Sequence, residues 1–490
     1  MPDLPPARLV LANLDAEAEL AELRERAELA ERDEVVELAK LTELAELVEL
    51  AEVAGRAELA APAERTERQP NGGKPPPRPR QLRGRRSWTP AASAAAAGAA
   101  TLLRAFCRVG DRLWTPAPVA PDRLADLPGV PRPELASGPV AAQHPAAELL
   151  AWCEAPSATA LRSAARRIAA DGGDPREIGD VGPPHELRHA APAQDLHEIV
   201  WRLPKPRPAV VAAVHHRAFC LELQRQLGRA LSGACMVASY GALEAHLAAG
   251  AAGAAGGSWV VKAPLSAAGR ARAIHHHGHD PSGFANPAFR RRIENLFRRH
   301  GPLLFEPWMD RLADFGAAGL LLPAGAVRWV GFHSQRVDAR GQFVGLDLKA
   351  MGPDLAAVGL AIHGLAGLPP ADCEDWLQAL GAAAGALARA GYIGPFGVDS
   401  WLYRGEDGAA RLHPLGEINA RVTFGLVARV LVDRLRGPLG LDAGDRVGLA
   451  FGRHQPAAGS TPGVGVVPLL LAGAAGEPGA WLEIPAARPR

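Results

Sequence analysis

The sequence predicts a mixed fold, α+β (α/β). Strand-like and helix-like stretches alternate through its C-terminal half, and two segments there read as β-hairpins, Arg328–Ala350 and Gly391–Arg421. A long helical stretch, Asp372–Ala390, separates the hairpins. The second hairpin has the stronger turn signal, Asp407-Gly408 between two apolar-alternating runs. On its strands Asp399, Glu417 and Asn419 converge on one side, because residues two apart on a strand face the same way. Two carboxylates and an amide oxygen are hard oxygen ligands, the set Mg²⁺ takes when it also holds phosphate. Arg421, two residues further on, is placed to meet an anion beside that metal.

Bulk composition narrows the function classes. The chain has 490 residues, enough for two or three domains, and 54 Lys+Arg against 53 Asp+Glu leave a formal charge of +1. No global field recruits nucleic acid or an anionic membrane. The only lysines are Lys40, Lys74, Lys205, Lys262 and Lys349, so each one draws notice. The 5 cysteines are scattered without metal-ligand spacing, which fits a reducing cytosol. The N-terminus lacks a basic-then-apolar signal pattern, and no apolar run is long enough to span a bilayer. The expectation is a soluble cytoplasmic protein with no nucleic-acid and no membrane partner.

In chain order, Leu9–Leu14 reads as an opening strand, and Asp15 to Leu59 as a low-complexity Glu-Leu-Ala helix. Leu38, Leu41, Leu44, Leu47 and Leu50 recur every three residues, lagging the helix by about 60° per step, so they form no sustained seam. Arg65 to Arg86 is Pro/Gly-rich and basic, a linker composition. Beyond it come a helix-like LLRAFCRV from Leu102, an extended DRLWTPAPV, and helices over Ala146–Glu154 and Ala158–Ala170. A helix follows over His215–Leu231, and then a strand and helix in GACMVASYGALEAHLAAG. The strand WVVK ends at Lys262, a basic helix spans Pro287–His300, and an apolar strand and hinge run over Leu303–Gly316. Thr423–Arg436 is helical, and two short strands, Gly465–Leu471 and Ala480–Ile484, close the chain.

Lys262 at the strand end is followed by a loop of small residues, Ser266 to Arg270, in which backbone N–H groups can approach phosphate oxygens. Read alone, that loop is as often an ordinary strand-to-loop join, and Lys349 alone is a surface charge. The hinge Phe305-Glu306-Pro307-Trp308-Met309 offers the apolar wall and backbone groups that a nucleotide base needs, with Asp314 just downstream.

Taken in order, these pieces resemble the ATP-grasp superfamily over roughly Pro206–Gly452: WVVK, a small-residue loop, E-P-W-M, an acid, D-L-K, G-V-D and E-I-N-A-R. The resemblance implies an ATP-grasp fold of two α+β subdomains preceded by an α/β domain. The division it implies is 1–64 low-complexity helix, 65–100 linker, 101–205 pre-ATP-grasp domain, 206–452 ATP-grasp domain and 453–490 C-terminal strands and tail. It implies ATP held by Lys262, Ser266, Gly269, Arg270, Glu306, Pro307, Met309, Asp314 and Lys349, and Mg²⁺ (or Mn²⁺) held by Asp399, Glu417 and Asn419. Lys262, Lys349 and Arg421 take the catalytic roles. The implied activity is a ligase joining a carboxylate to an amine or thiol through an acyl phosphate, with a homodimer as a compatible assembly. Substrate identity does not carry over, since Gly397 stands where some amino-acid ligases of the family place an arginine.

The alternatives are an ATP-grasp phosphotransferase and a nucleotide-binding scaffold without turnover. His185-Glu186-Leu187-Arg188-His189 matches the zinc-peptidase pattern H-E-x-x-H, but Pro192 cuts its helix short, so it is read as chance. The cluster His275 to His279 is read as a solvated basic loop rather than a metal site. On this reading, Lys262→Ala or Glu417→Ala abolishes nucleotide-dependent turnover and leaves the fold intact.

Overall fold

The computed structural model describes residues 8–11, 16, 20, 21, 23, 24, 90–137, 149–155, 158, 195–250, 257–266, 271–277, 286–338, 341–350, 370–453, 463–473 and 477–486. The class is α+β, as the alternation predicts, and its strands fall into three sheets.

The first sheet is parallel, formed by β1 (Leu9–Leu11), β2 (Arg112–Thr115), β3 (Glu134–Ser137) and β4 (Leu149–Ala151) in the order β3-β2-β1-β4. Parallel strands are covered on both faces. Accordingly Val10, Leu113 and Leu150 join the main core, while Leu9, Leu11, Leu149 and Ala151 pack with Ala158 on the other side. Arg8 and Asp111 pair at 3.0 Å beside β1, both nearly buried. Two expectations change here. The helix expected over Ala146–Glu154 contains a strand, because pairing with β1 overrides local helix propensity. The helix-like LLRAFCRV is a 3-10 turn, Thr101–Phe106.

The linker expected over 65–100 also needs correction at its end, because Pro90–Ala100 is an α-helix. Ala96, Ala97 and Ala100 are buried, and a methyl added at Gly98 would lie 3.1 Å from Leu470. Small side chains that look like linker composition are what allow this close approach. Ala16 and Leu20, one helical turn apart at the start of the Glu-Leu-Ala run, are buried in the main core.

The second sheet is antiparallel: β5 (Cys235–Val237), β6 (Trp259–Lys262), β7 (Arg272–His275) and β8 (Leu303–Pro307), ordered β5-β8-β6-β7. One face carries Trp259, Val261, Ala273, Leu303 and Phe305 against Leu243 of the helix Tyr240–Ala248 and Ile293 and Leu296 of the helix Pro287–His300. By alternation the other face carries Lys262, Arg272 and Glu306.

The third sheet holds β9 (Asp310–Leu321), β10 (Val327–Val337), β11 (Phe343–Lys349), β12 (Gly394–Arg404), β13 (Ala410–Asn419), β14 (Arg446–Gly452), β15 (Val464–Leu470) and β16 (Gly479–Pro485). Their order is β13-β12-β9-β10-β11-β14-β16-β15. Both predicted hairpins are present, as β10–β11 and β12–β13. The two C-terminal strands extend this sheet through β14, so the boundary at 452 cuts through one continuous sheet. On one face lies the helix Pro370–Arg389, whose Trp376 donates to Ser400 Oγ at 2.8 Å and meets Phe315 edge-on at 4.8 Å. On the other lies the helix Phe424–Leu439, with Gly425 against His333 and the buried Arg429 donating to the carbonyls of Lys349 and Ala350.

No helix among the described residues is long and apolar enough to cross a membrane. All five cysteines are free, and four are buried. Trp376 fills the space under β9 and β12 at 1% exposure. Trp376→Ala is expected to lower the unfolding free energy by about 3–5 kcal/mol, read from denaturant melts.

Candidate functional site

The chain passes from β8 of the second sheet to β9 of the third through Trp308 and Met309, so the polar faces of the two sheets meet beside this hinge. Lys262 and Glu306, neighbours on β6 and β8, form an ion pair there with side chains 12% and 3% exposed. Burial opposes both charges. For Glu306 the nearby Lys262 outweighs it and holds the carboxyl below its ordinary range; for Lys262 burial wins and its pKa is lowered.

The β12–β13 register sets Asp399 opposite Glu417 and Gly397 opposite Asn419, so the three predicted metal ligands share one face. Asn419 Nδ2 donates to Asp399 Oδ2 at 2.9 Å, and Gln335 Nε2 donates to Oδ1 at 2.7 Å. Arg421 donates to Asn419 Oδ1 at 3.0 Å. Burial, and then the facing Glu417, push Asp399 up to about 6. Burial works on Glu417 in the same direction, but Arg217, Lys262 and His215 prevail and lower it. Two facing carboxylates, one of them reluctant to ionise, are a donor set short of positive charge. Among the described residues no group of three His, Cys, Asp or Glu side chains can hold a metal unaided. Mg²⁺ does not require one, since it completes its shell with phosphate oxygens and water.

Sequence reasoning missed Arg217. It opens the helix Arg217–Gln226, is 8% exposed, and donates to Glu417 Oε1 at 2.9 Å, to Ser266 Oγ at 2.8 Å and to the Ala263 carbonyl. A cation at a helix N-terminus runs against the helix dipole, and that anomaly was the available signal. Two residues earlier, His215 Nδ1 accepts from the Ala420 N–H at 3.1 Å, between Asn419 and Arg421. Burial, with Arg421 and Arg217 adding to it, pushes His215 down to about 3, so the ring is neutral near pH 7.

Other predicted residues stand differently from expectation. Asp314, assigned to ribose, is engaged by Arg311 at 2.6 Å, and the Arg311 guanidinium lies 4.0 Å over Trp401 and 5.1 Å over Trp308. Lys349 is not brought to the cluster. Its neighbour Leu348 pairs with His333, which pairs with Gly316, which pairs with Asp399. Strand alternation therefore turns Lys349 to the opposite face, the side of Asp347 and Arg336. Glu306, Pro307 and Met309 form the hinge, with Met309 8% exposed. Ser266 lies against Arg217, while Gly269, Arg270 and the His185–His189 motif fall outside the described residues. Of the histidine cluster, His275 belongs to β7 and stacks on Trp259 at 5.3 Å, so it is a strand residue rather than part of a solvated loop.

Trp401 lies flat over Gly416, where a methyl would come within 1.8 Å of the indole, and its ring centroid is 4.4 Å from that of His413. Trp401 Nε1 and His413 Nε2 are buried with no hydrogen-bond partner among the described residues. Burial pushes His413 down to about 4.

No family model matches the sequence, and neither does any curated protein. Similar solved structures include N5-carboxyaminoimidazole ribonucleotide synthetase from Thermus thermophilus, at 14% identity and a TM-score of 0.43 over 80% of this chain and 92% of that one. The corresponding synthetase from Staphylococcus aureus, complexed with ADP, is 9% identical at a TM-score of 0.39, over 72% and 80%. The biotin carboxylase domain of Hydrogenobacter thermophilus 2-oxoglutarate carboxylase, with MgADP and bicarbonate, is 15% identical at a TM-score of 0.38. That match covers 58% of this chain and 64% of that domain, so the chain spans less than two thirds of it.

The ion pair revises the expectation that Lys262→Ala leaves the fold intact, because it strands Glu306 in a buried site. Its unfolding free energy is expected to drop by about 3–5 kcal/mol, and Lys262→Ala/Glu306→Leu to recover most of the loss. Asp399 has its folded pKa raised above the unfolded value, so the stability linked to its proton is full below about pH 4 and lost as pH rises through about 6. In Mg²⁺-free buffer Asp399→Asn should therefore gain melting temperature relative to wild type as pH climbs from 4 to 8. A constant gap across that range would refute the assignment.

Proposed function

We propose that the chain is an ATP- and Mg²⁺-dependent ligase of the ATP-grasp superfamily, joining a carboxylate to an amine or thiol through an acyl phosphate. The observation that carries this reading is the Asp399–Glu417 pair facing Lys262 and Arg217 across the meeting of two sheets. The sequence order of motifs supports it independently.

Asp399, Glu417 and Asn419 would hold Mg²⁺, which would supply positive charge to offset that of the nucleotide phosphates. The hinge Glu306–Met309 would receive the base, where the unpaired Trp401 Nε1 and His413 Nε2 suit a planar polar ligand. Asp314 would bind ribose in place of its present partner, Arg311. Ser266, the first residue of the small-residue loop, would cover the phosphates.

A substrate carboxylate oxygen attacks the γ-phosphorus, the bond to the β-phosphate oxygen breaks, and ADP leaves. The amine or thiol then attacks the acyl carbon and gives up its proton to the departing phosphate, which leaves as inorganic phosphate when the carbon–oxygen bond breaks. Lys262 and Arg217 offset negative charge on the transferring group, and Arg421, steadied through His215 and Asn419, meets a substrate oxygen. Lys349 has no part in this scheme.

The test is a screen of carboxylates paired with amines and thiols for ADP release from Mg-ATP. Product masses should show a condensed product plus inorganic phosphate; a stable phosphorylated product would instead mean a phosphotransferase. Glu417→Gln is expected to cut the rate by about 100-fold or more. Undiminished ADP release in that variant would rule the site out.

A further inference from the structure

We propose that the groove between β7 and the helix Pro287–His300 is a regulatory site for a small anion carrying two or more phosphate groups. The groove has a volume of about 560 Å³ and is lined by Arg272, Arg291, Arg292, Asn295, Arg299 and His300, with no carboxylate in its lining. Residues 291, 295 and 299 succeed one another at four-residue steps, and 292 lies seven before 299, so their side chains share one helix face. Ile293 and Leu296 are spent on the core, and Leu296 also floors the groove beside the arginines. Glu294, the helix's one acid, is paired with Arg290 at 2.9 Å.

Arg291, Arg292 and Arg299 bring three guanidinium groups to one concavity, where they repel each other unless an anion lies among them. Guanidinium forks match phosphate and carboxylate oxygens alike, two at a time, but an anion with two or more phosphate groups carries enough oxygens and charge to satisfy several forks at once, which a halide or a single carboxylate does not. The volume is that of a small-molecule site. Single-stranded nucleic acid is disfavoured, because the lining offers no Trp, Tyr or Phe face for a base.

The groove also touches the root of the loop that the proposed function places over phosphates, and the regulatory part of the inference rests on that reading. Ala271, which follows residues 267–270 directly, lines the groove and sits at φ +50°, a left-handed conformation unfavourable for alanine. Its carbonyl accepts from the Ala263 N–H at 2.9 Å, next to Lys262. Arg292 donates to the Arg272 carbonyl at 2.8 Å, so a groove arginine already grips the backbone one residue beyond that hinge. The Arg272 side chain points to the other face, donating to the Gly341 carbonyl at 3.1 Å and lying 5.7 Å over Trp308. An anion in the groove fixes the main chain of a residue whose side chain stands in the cleft.

The experiment is calorimetry with inorganic tripolyphosphate on the full chain, followed by hydrogen exchange over residues 263–275. Wild type should show a groove site that Lys262→Ala keeps and that Arg291→Ala/Arg299→Ala weakens at least tenfold. Exposed Arg389, changed to Ala, is the control for loss of bulk charge. Tripolyphosphate should slow exchange at 263–275 in wild type and Lys262→Ala but not in the double variant, whose basal Mg-ATP turnover stays at the wild-type level. The proposal is overturned by an unchanged isotherm in the double variant or by an equal loss in Arg389→Ala. A short RNA binding the groove at least tenfold tighter than tripolyphosphate would equally overturn it. Groove binding that persists in a chain without ATP turnover would separate failure of the ligase reading from failure of this one. Binding without slowed exchange would reject the regulatory role.

Discussion

Arg217 holds three parts of the molecule at once. From the first residue of its helix it reaches Ser266 and the Ala263 carbonyl beyond β6, and Glu417 on β13. The two sheets that carry the charged cluster are thus joined through one buried guanidinium. Pairs like Arg217–Glu417 gain little net stability, because desolvating both ions takes back most of the Coulomb gain. Their effect is geometric. A planar fork with five donors fixes a carboxylate and a hydroxyl in one orientation, which a lysine at the same place would not do.

The cluster divides its charges unevenly. Glu417 has Arg217 and Lys262 in its field and stays ionised; Asp399 has amide donors from Gln335 and Asn419 and the like charge of Glu417 opposite. One carboxylate is permanently committed, and its neighbour is poised to gain or lose a proton near neutrality. A cation arriving between them meets most resistance from the proton on Asp399, and least from Glu417.

How much was legible in the sequence follows from how local each signal is. The hairpins β10–β11 and β12–β13 were readable because alternation and turn residues are short-range, and because the register that unites Asp399 with Glu417 needs only a count along two strands. The lysine at the end of β6 was readable for the same reason. What lay beyond reach was pairing across distance. β4 looked helical until β1 claimed it, and the alanines of Pro90–Ala100 looked like a spacer until β15 and β16 stood beside them. Lys349 matched a motif by order, yet its side chain follows the alternation of β11 to the far face. Arg217 and Arg311 belong to no motif, and their importance arises only where separate elements meet.

The indole of Trp401 rests on the bare backbone of Gly416, at a point where two residues of β12 span the same length as four of β13. β13 is the edge strand, so Pro414 and the bulge cost the sheet no interior hydrogen bond. The missing methyl thereby sets a dimension of the cleft. Any side chain at 416 would lift the indole off its seat and push it toward Arg311 and Lys262, into the room between the sheets. The space available to a ligand is measured by one hydrogen atom on the strand that also carries Glu417 and Asn419.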